Sequence, residues 1–209
     1  MQKDELIKKL EHLGFQEKIL KAFSSVERED FVPTELKHHA YEDAPLPIGH
    51  GQTISQPYTI AIMLKELNLQ KGQKVLEIGS GCGYVLALLS KIVGEKGQVF
   101  GLELSSELKK ISAENTNQYS NVKIHNKDGT KGLAEEAPFD RILISAACSK
   151  APPELIKQLK ENGILVAPIG SSFQQSIVTI QKRNDKPVLK NEIPGFVFVP
   201  LVEDFDNIK

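Results

Sequence analysis

Apolar residues first recur at helical spacing over residues 4–13, where Leu6, Ile7, Leu10 and Leu13 share a face that stops at Gly14. Ile19, Leu20 and Phe23 mark a second short helix, and Phe31-Val32-Pro33 closes this segment. From His38 to Pro57 the helical period disappears. This stretch is rich in Pro and Gly and predicts a long loop, with enough Tyr, Leu and Ile to be ordered and functional. Pro57 then suits the first position of a helix whose buried face is Ile60, Met63, Leu64 and Leu67.

Apolar runs next alternate with helical segments. Lys74–Ile78 reads as a strand and Tyr84–Val93 as a helix, followed by a strand over Gln98–Leu102. Ser105 has the hydroxyl to cap the following helix. Asn121–His125 and Phe139–Ser145 are further strands. Pro152-Pro153-Glu154 opens a helix predicted to stop near Asn162-Gly163, before a fifth strand at Ile164–Pro168. This succession predicts an α/β fold with a doubly wound, mostly parallel sheet and helices on both faces. After Gly170 only strand patterns remain. Ser176–Gln181 and Phe196–Leu201 are expected to pair through the polar turn Arg183–Pro187.

A length of 209 residues fits one domain with a full-sized core. Its expected parts are N-terminal helices and a covering loop over 1–57, a binding core over 58–170 and C-terminal strands over 171–209. The 26 Lys and Arg against 27 Asp and Glu leave a net charge of −1, which argues against a dedicated nucleic-acid binder. No apolar stretch is long enough for a membrane span, and the charged N-terminus does not read as a signal peptide. Cys82 and Cys148 form neither a disulfide framework nor a metal site. A reduced, cytoplasmic protein is expected, and a monomer.

The candidate chemistry centres on Glu77-Ile78-Gly79-Ser80-Gly81-Cys82-Gly83, an acid and a glycine-rich turn placed between a strand and a helix. Glycine at alternate positions lets a ligand approach the backbone. The dinucleotide fingerprint spaces its third glycine one residue later and seats a pyrophosphate on the helix N-terminus. Here Glu77 would repel a pyrophosphate and favour an ammonium, which matches S-adenosylmethionine better than NAD. Glu103 ends the next strand, where a carboxylate can accept from two ribose hydroxyls. Asp128 follows the third strand, where it could accept from an adenine amino group. One such acid could simply be solvated. Three at successive strand ends make S-adenosylmethionine the expected cofactor.

At these residues the chain resembles the protein-L-isoaspartate (D-aspartate) O-methyltransferases. The likeness runs from about Leu6 to Leu201 and rests on the stretch Tyr41–Pro57, the glycine loop, Asp128-Gly129, Ala137–Asp140 and Phe198–Leu201. It implies a class I, Rossmann-like methyltransferase domain. Its substrate would be the free carboxylate of an L-isoaspartyl residue in a damaged protein or peptide. The ester formed there closes to a succinimide, and hydrolysis restores some aspartyl linkage. The resemblance also implies that Ser55 is the active-site serine and that Ile48, Gly49, His50 and Gly51 cover the cofactor. Glu77, Gly79, Gly81, Gly83, Glu103, Leu104, Asp128 and Gly129 would hold the cofactor. Gln52 and Thr53 would face the substrate, with Val199, Pro200 and Leu201 flanking the peptide cleft.

A carboxylate is ionised at neutral pH and needs no strong base, so a hydroxyl such as that of Ser55 can orient it. The alternative for Ser55 is capping the helix that opens at Pro57. For His50 the plainer reading is a surface loop residue. The chain departs from the family pattern at Lys127, Leu133, Val197, Leu104, Cys82 and Cys148, none of which removes a cofactor ligand. Two other functions remain open on the sequence: the same fold acting on another peptide carboxylate, and a non-catalytic protein-recognition module.

Overall fold

The computed structural model describes residues 1–202. Helices α1 (Lys3–His12) and α2 (Glu17–Ser25) lead into short 3-10 turns at Arg28–Phe31 and Thr34–His39. A hairpin follows, β1 (Leu46–Gly49) and β2 (Gln52–Ile54), then α3 (Pro57–Leu67). The alternating part comprises β3 (Lys74–Ile78), α4 (Tyr84–Val93), β4 (Gln98–Glu103), α5 (Ser106–Asn115), β5 (Val122–Asn126) and β6 (Phe139–Ile144). It ends with α6 (Pro153–Lys157), β7 (Leu159–Gly170), β8 (Gln175–Arg183) and β9 (Lys186–Phe196).

Seven strands form one sheet in the order β5-β4-β3-β6-β7-β8-β9, parallel from β5 to β7 and antiparallel beyond it. Alternation along each strand divides the core between two faces. Val75, Val99, Leu143 and Val166 pack towards α1 to α5, while Leu76, Phe100, Ile142, Ile144 and Leu165 pack towards α6 and the 3-10 turns. The second face therefore has far less helix than the first. The N-terminal segment is fastened to α4 by Arg28, fully buried, which donates to the Ala40 carbonyl at 2.7 Å and lies 5.1 Å from the Tyr84 ring centroid.

Three expectations are corrected. The stretch before Pro57 contains a hairpin, turned by His50 and Gly51 at φ 52° and 68°, the left-handed pair that a two-residue type I′ turn requires. Secondly, the helix opened by Pro152-Pro153 ends at Lys157. The backbone N–H of Phe139 takes the Gln158 carbonyl, and buried Lys182 takes those of Lys157 and Leu159, so the chain already pairs as β7. Asn162, at φ 64°, and Gly163 lie within β7, where its register with β6 is irregular. Thirdly, the partner of β8 is Lys186–Phe196, joined through the two-residue turn Asn184-Asp185. Residues 197–201 leave the sheet's edge and return to its middle, where the Leu201 N–H donates to the Ala147 carbonyl and the Ala147 N–H to that of Val199, both at 2.7 Å. The apolar character of Val199, Pro200 and Leu201 serves a cavity wall instead of a strand.

Candidate active site

Sheet register brings the two principal acids together. Glu77 on β3 lies opposite Gly101 on β4, and Glu103 is two residues further along the same face. Both stand at the carboxyl edge of the strands, beside the point where connections from β3 and β6 diverge, the usual ligand crevice of such sheets.

The loop between them is built from glycines at φ 78° (Gly79), 52° (Gly81) and 88° (Gly83), conformations that a side chain would strain. The Gly79 and Ser80 amides donate to the Leu102 carbonyl, which turns the loop back across β4. Glu103 fixes its far side: Oε2 accepts from the Gly81 N–H at 2.8 Å and Oε1 from the Ser105 N–H at 3.0 Å. The hairpin closes over the loop, since a Cβ on Gly81 would stand 3.1 Å from the Ile48 side chain.

Glu77 is 1% exposed. Its Oε1 accepts from the Ser145 hydroxyl at 2.7 Å, and its Oε2 is buried with no partner. Burial pushes its carboxyl up to about 8; the Ser145 hydrogen bond pulls the other way and the negative charge of Glu103 adds to the rise. An unsatisfied buried carboxylate oxygen is a place prepared for a cation. Burial also pushes the Cys82 thiol up to about 11, which favours the protonated thiol at neutral pH.

Two adjoining cavities meet at Thr53, Gly79, Gly81 and Ser145. The larger, of about 500 Å³, has the size of a small-molecule site. Glu103, Leu104, Gly129 and the hairpin residues His50 and Gln52 line one part of it, and Val199, Pro200 and Leu201 another. The smaller, of about 40 Å³, holds Ile48, Ser55 and Glu77. These residues come from four separate stretches of the chain. Four expected residues line neither wall. Gly49 and Gly51 shape the hairpin, Gly83 caps α4 against Ser112 and Thr116, and Asp128 caps the turn Gly129–Lys131 through its bond to the Thr130 N–H at 2.9 Å. The Thr130 amide and hydroxyl occupy Oδ1, while Oδ2 lies 3.4 Å from the Lys131 ammonium, so the Asp128 carboxylate keeps acceptor sites beyond its cap.

The capping alternative for Ser55 is also removed. The start of α3 is satisfied by Asp43, whose Oδ1 accepts from the Tyr58 N–H at 2.9 Å while Oδ2 pairs with Lys9. Ser55 instead faces the cavity shared with Glu77. Sequence reasoning assigned no role to Ser145, which lines both cavities and holds Glu77. The available signal was a polar residue ending the apolar run Ile142-Leu143-Ile144 beside β3. Lys127, which departs from the family pattern, lines the larger cavity with its ammonium paired to Glu135.

Comparison with known proteins agrees with this architecture. The family described as protein-L-isoaspartate(D-aspartate) O-methyltransferase matches residues 1–206. The chain belongs to this family. It is 43% identical over 204 residues to the protein-L-isoaspartate O-methyltransferase of Methanothrix thermoacetophila, covering 97% of this chain and 95% of that one. The Fervidobacterium nodosum protein of the same name is 40% identical, covering 94% and 99%. A solved protein-L-isoaspartate O-methyltransferase superposes with a TM-score of 0.87 at 31% identity, over 95% of this chain and 65% of that one. A Plasmodium falciparum structure described as the same enzyme, in complex with S-adenosyl-L-homocysteine, gives 0.84 at 28% identity, over 96% and 98%. Among the described residues, no helix is long and apolar enough to cross a membrane.

Proposed function

We propose that this chain methylates the free carboxylate of L-isoaspartyl residues in damaged proteins or peptides, using S-adenosylmethionine. Beyond family membership, the observation that carries this reading is the buried Glu77 carboxyl in the smaller cavity, which adjoins the larger one through Thr53, Gly79, Gly81 and Ser145. An orphaned buried carboxylate oxygen, a glycine loop open to close approach and the paired acid Glu103 fit a ligand with an ammonium and a ribose, and no phosphate. When bound, S-adenosylmethionine supplies a methyl group on a sulfonium.

The residues of this chain would then bind, orient and exclude water. Glu77 answers the ammonium and Glu103 the ribose hydroxyls, through the acceptor sites left after its two amide bonds. Thr53 stands where the cavities join and Ser55 lines the smaller one, and their hydroxyls would hold an acceptor carboxylate without protonating it. An α-carboxylate is ionised at neutral pH, so no general base is required. The hairpin and the returning segment Val199–Leu201 narrow the opening and keep water from the reacting groups.

Paired peptides that differ only in an isoaspartyl or an aspartyl linkage test the reading. Methyl incorporation into the isoaspartyl member alone is expected. Equal labelling of both, or of neither despite measurable cofactor binding, overturns it. Ser55→Ala is expected to lower kcat by about 10- to 100-fold, the loss of roughly 1.4–2.7 kcal/mol of transition-state alignment, with S-adenosylhomocysteine affinity unchanged within twofold. Loss of that affinity, by calorimetry, with kcat retained would make Ser55 a cofactor residue instead.

A further inference from the structure

Among the described residues, the two most exposed large apolar side chains are Phe173, at 87%, and Val197, at 75%. Single exposed apolar residues are ordinary on a protein surface. These two belong to segments that are bonded to each other, one of which runs on into the cavity wall at Val199. Phe173 lies in the turn Ser171–Gln174 that leaves the carboxyl end of β7, the sheet edge from which the site is built. Val197 follows the end of β9 and stands two residues before Val199, which lines the larger cavity.

Gln175 ties the segments together. It is 2% exposed, its backbone pairs with Phe196, and its side-chain carbonyl accepts from the Phe198 N–H at 2.8 Å. Its amide group donates to the Ser171 carbonyl. The Ser171 hydroxyl in turn accepts from the Phe173 and Gln174 amides at 3.3 Å. Phe173 and Val197 are therefore presented to solvent from hydrogen-bonded backbone.

We propose that Phe173 and Val197 form an apolar subsite for a side chain near the isoaspartyl residue, so that damaged segments with a Leu, Ile, Val or Phe close by are preferred substrates. This rests on the function proposed above. Val197 stands two residues from the wall of the cleft that takes the reacting residue, and Gln175 ties its segment to that of Phe173, so the occupant is the remainder of the same peptide. Extended chain advances about 3.3–3.6 Å per residue, so the two-residue separation of Val197 from the cavity wall matches a substrate side chain two or three positions from the isoaspartate. Apolar contact at a rim acts equally on bound substrate and transition state, and so should appear in KM.

The test is a panel of isoaspartyl peptides with one Leu, Gly or Glu walked through the three positions on either side. At a position two or three residues away, Leu is expected to exceed Gly by about tenfold in kcat/KM, or about 1.4 kcal/mol, mainly through KM. Phe173→Ser should bring that ratio close to one, with S-adenosylhomocysteine affinity by calorimetry unchanged as the check on folding. Val197→Lys should turn the preference from Leu towards Glu. A ratio near one at every position in the natural protein, or a ratio that neither substitution moves, overturns the subsite. Failure to methylate any isoaspartyl peptide overturns the proposed function itself, and the subsite with it.

Discussion

Replacing Glu103 with alanine is expected to weaken S-adenosylhomocysteine binding by about a hundredfold, roughly 3 kcal/mol. Two effects combine. A carboxylate has about four acceptor sites, and the Gly81 and Ser105 amides occupy one on each oxygen. The remaining two are available to ribose hydroxyls, and hydrogen bonds to a charged group contribute about 1.5–3 kcal/mol apiece. Alanine removes these and also releases the glycine loop from the start of α5. Gly81 and Ser105 both line the cavity, from which water can replace the lost acceptor, and the expected loss of stability is only about 1–2 kcal/mol. Glu103→Gln separates the contributions. Its amide oxygen can still take one backbone N–H, but its NH2 faces the other donor, so binding should remain weak while stability partly recovers. Calorimetric titration and thermal unfolding read both quantities. Unchanged affinity in the alanine variant would remove Glu103 from the cofactor site.

The parts of the fold legible in the sequence were those with strong periodicity. Buried parallel strands are continuous apolar runs, so β3 and α4 fall on the expected residues, and the ends of β4, β5 and β6 differ by one. The C-terminal strands were harder to read for a physical reason. β9 is an edge strand, largely exposed and interrupted by Pro187 and Pro194, so it carries no apolar alternation. Val199–Leu201 walls a cavity and Phe198 packs against the core, and apolar character alone cannot separate those duties from a strand. The β1–β2 turn was hidden because His50-Gly51 is a less familiar left-handed pair than Asn-Gly.

For the site, residue type at a strand end identified Glu77 and Glu103, because both the position and the chemistry of the acid were visible. The same rule named Asp128 but did not show that it also caps the turn that follows. An aspartate just after a strand can serve a ligand, cap the following turn or do both, and its bond to Thr130 depends on how that turn folds. The rule also passed over Ser145, whose importance lies in one contact across 68 residues, with Glu77. Long-range pairs of this kind depend on which strands are neighbours, and β3 lies beside β6 although β4 and β5 intervene in sequence.

That contact leads to the second large effect, a coupling of cofactor binding to proton release. In the ligand-free protein, burial raises the Glu77 carboxyl to about 8, so it is predominantly neutral at pH 7. An ammonium favours the carboxylate and lowers that value, so binding should release nearly one proton below about pH 7.5. Affinity should rise by about tenfold per pH unit over that range and level off near pH 8. The linked stability has the opposite slope. Above about pH 4.5 the unfolded carboxyl gives up its proton while the folded one retains it. The ligand-free protein therefore binds more protons than its unfolded chain and loses stability as pH rises from about 4.5 to 8. Proton release is measured by titrating S-adenosylhomocysteine in buffers of different ionisation enthalpy, and stability by unfolding across the same pH range. Glu77→Gln should abolish the proton release and flatten this part of both profiles. Ser145→Ala, which removes the hydrogen bond that opposes the rise, should move the transition to higher pH; Glu103→Gln, which removes the neighbouring charge, should move it lower. A natural protein whose affinity does not change between about pH 6 and 8 would mean that Glu77 does not meet the ammonium. The unpartnered Oε2 would then have to be satisfied by water in the smaller cavity, which at about 40 Å³ has room for it.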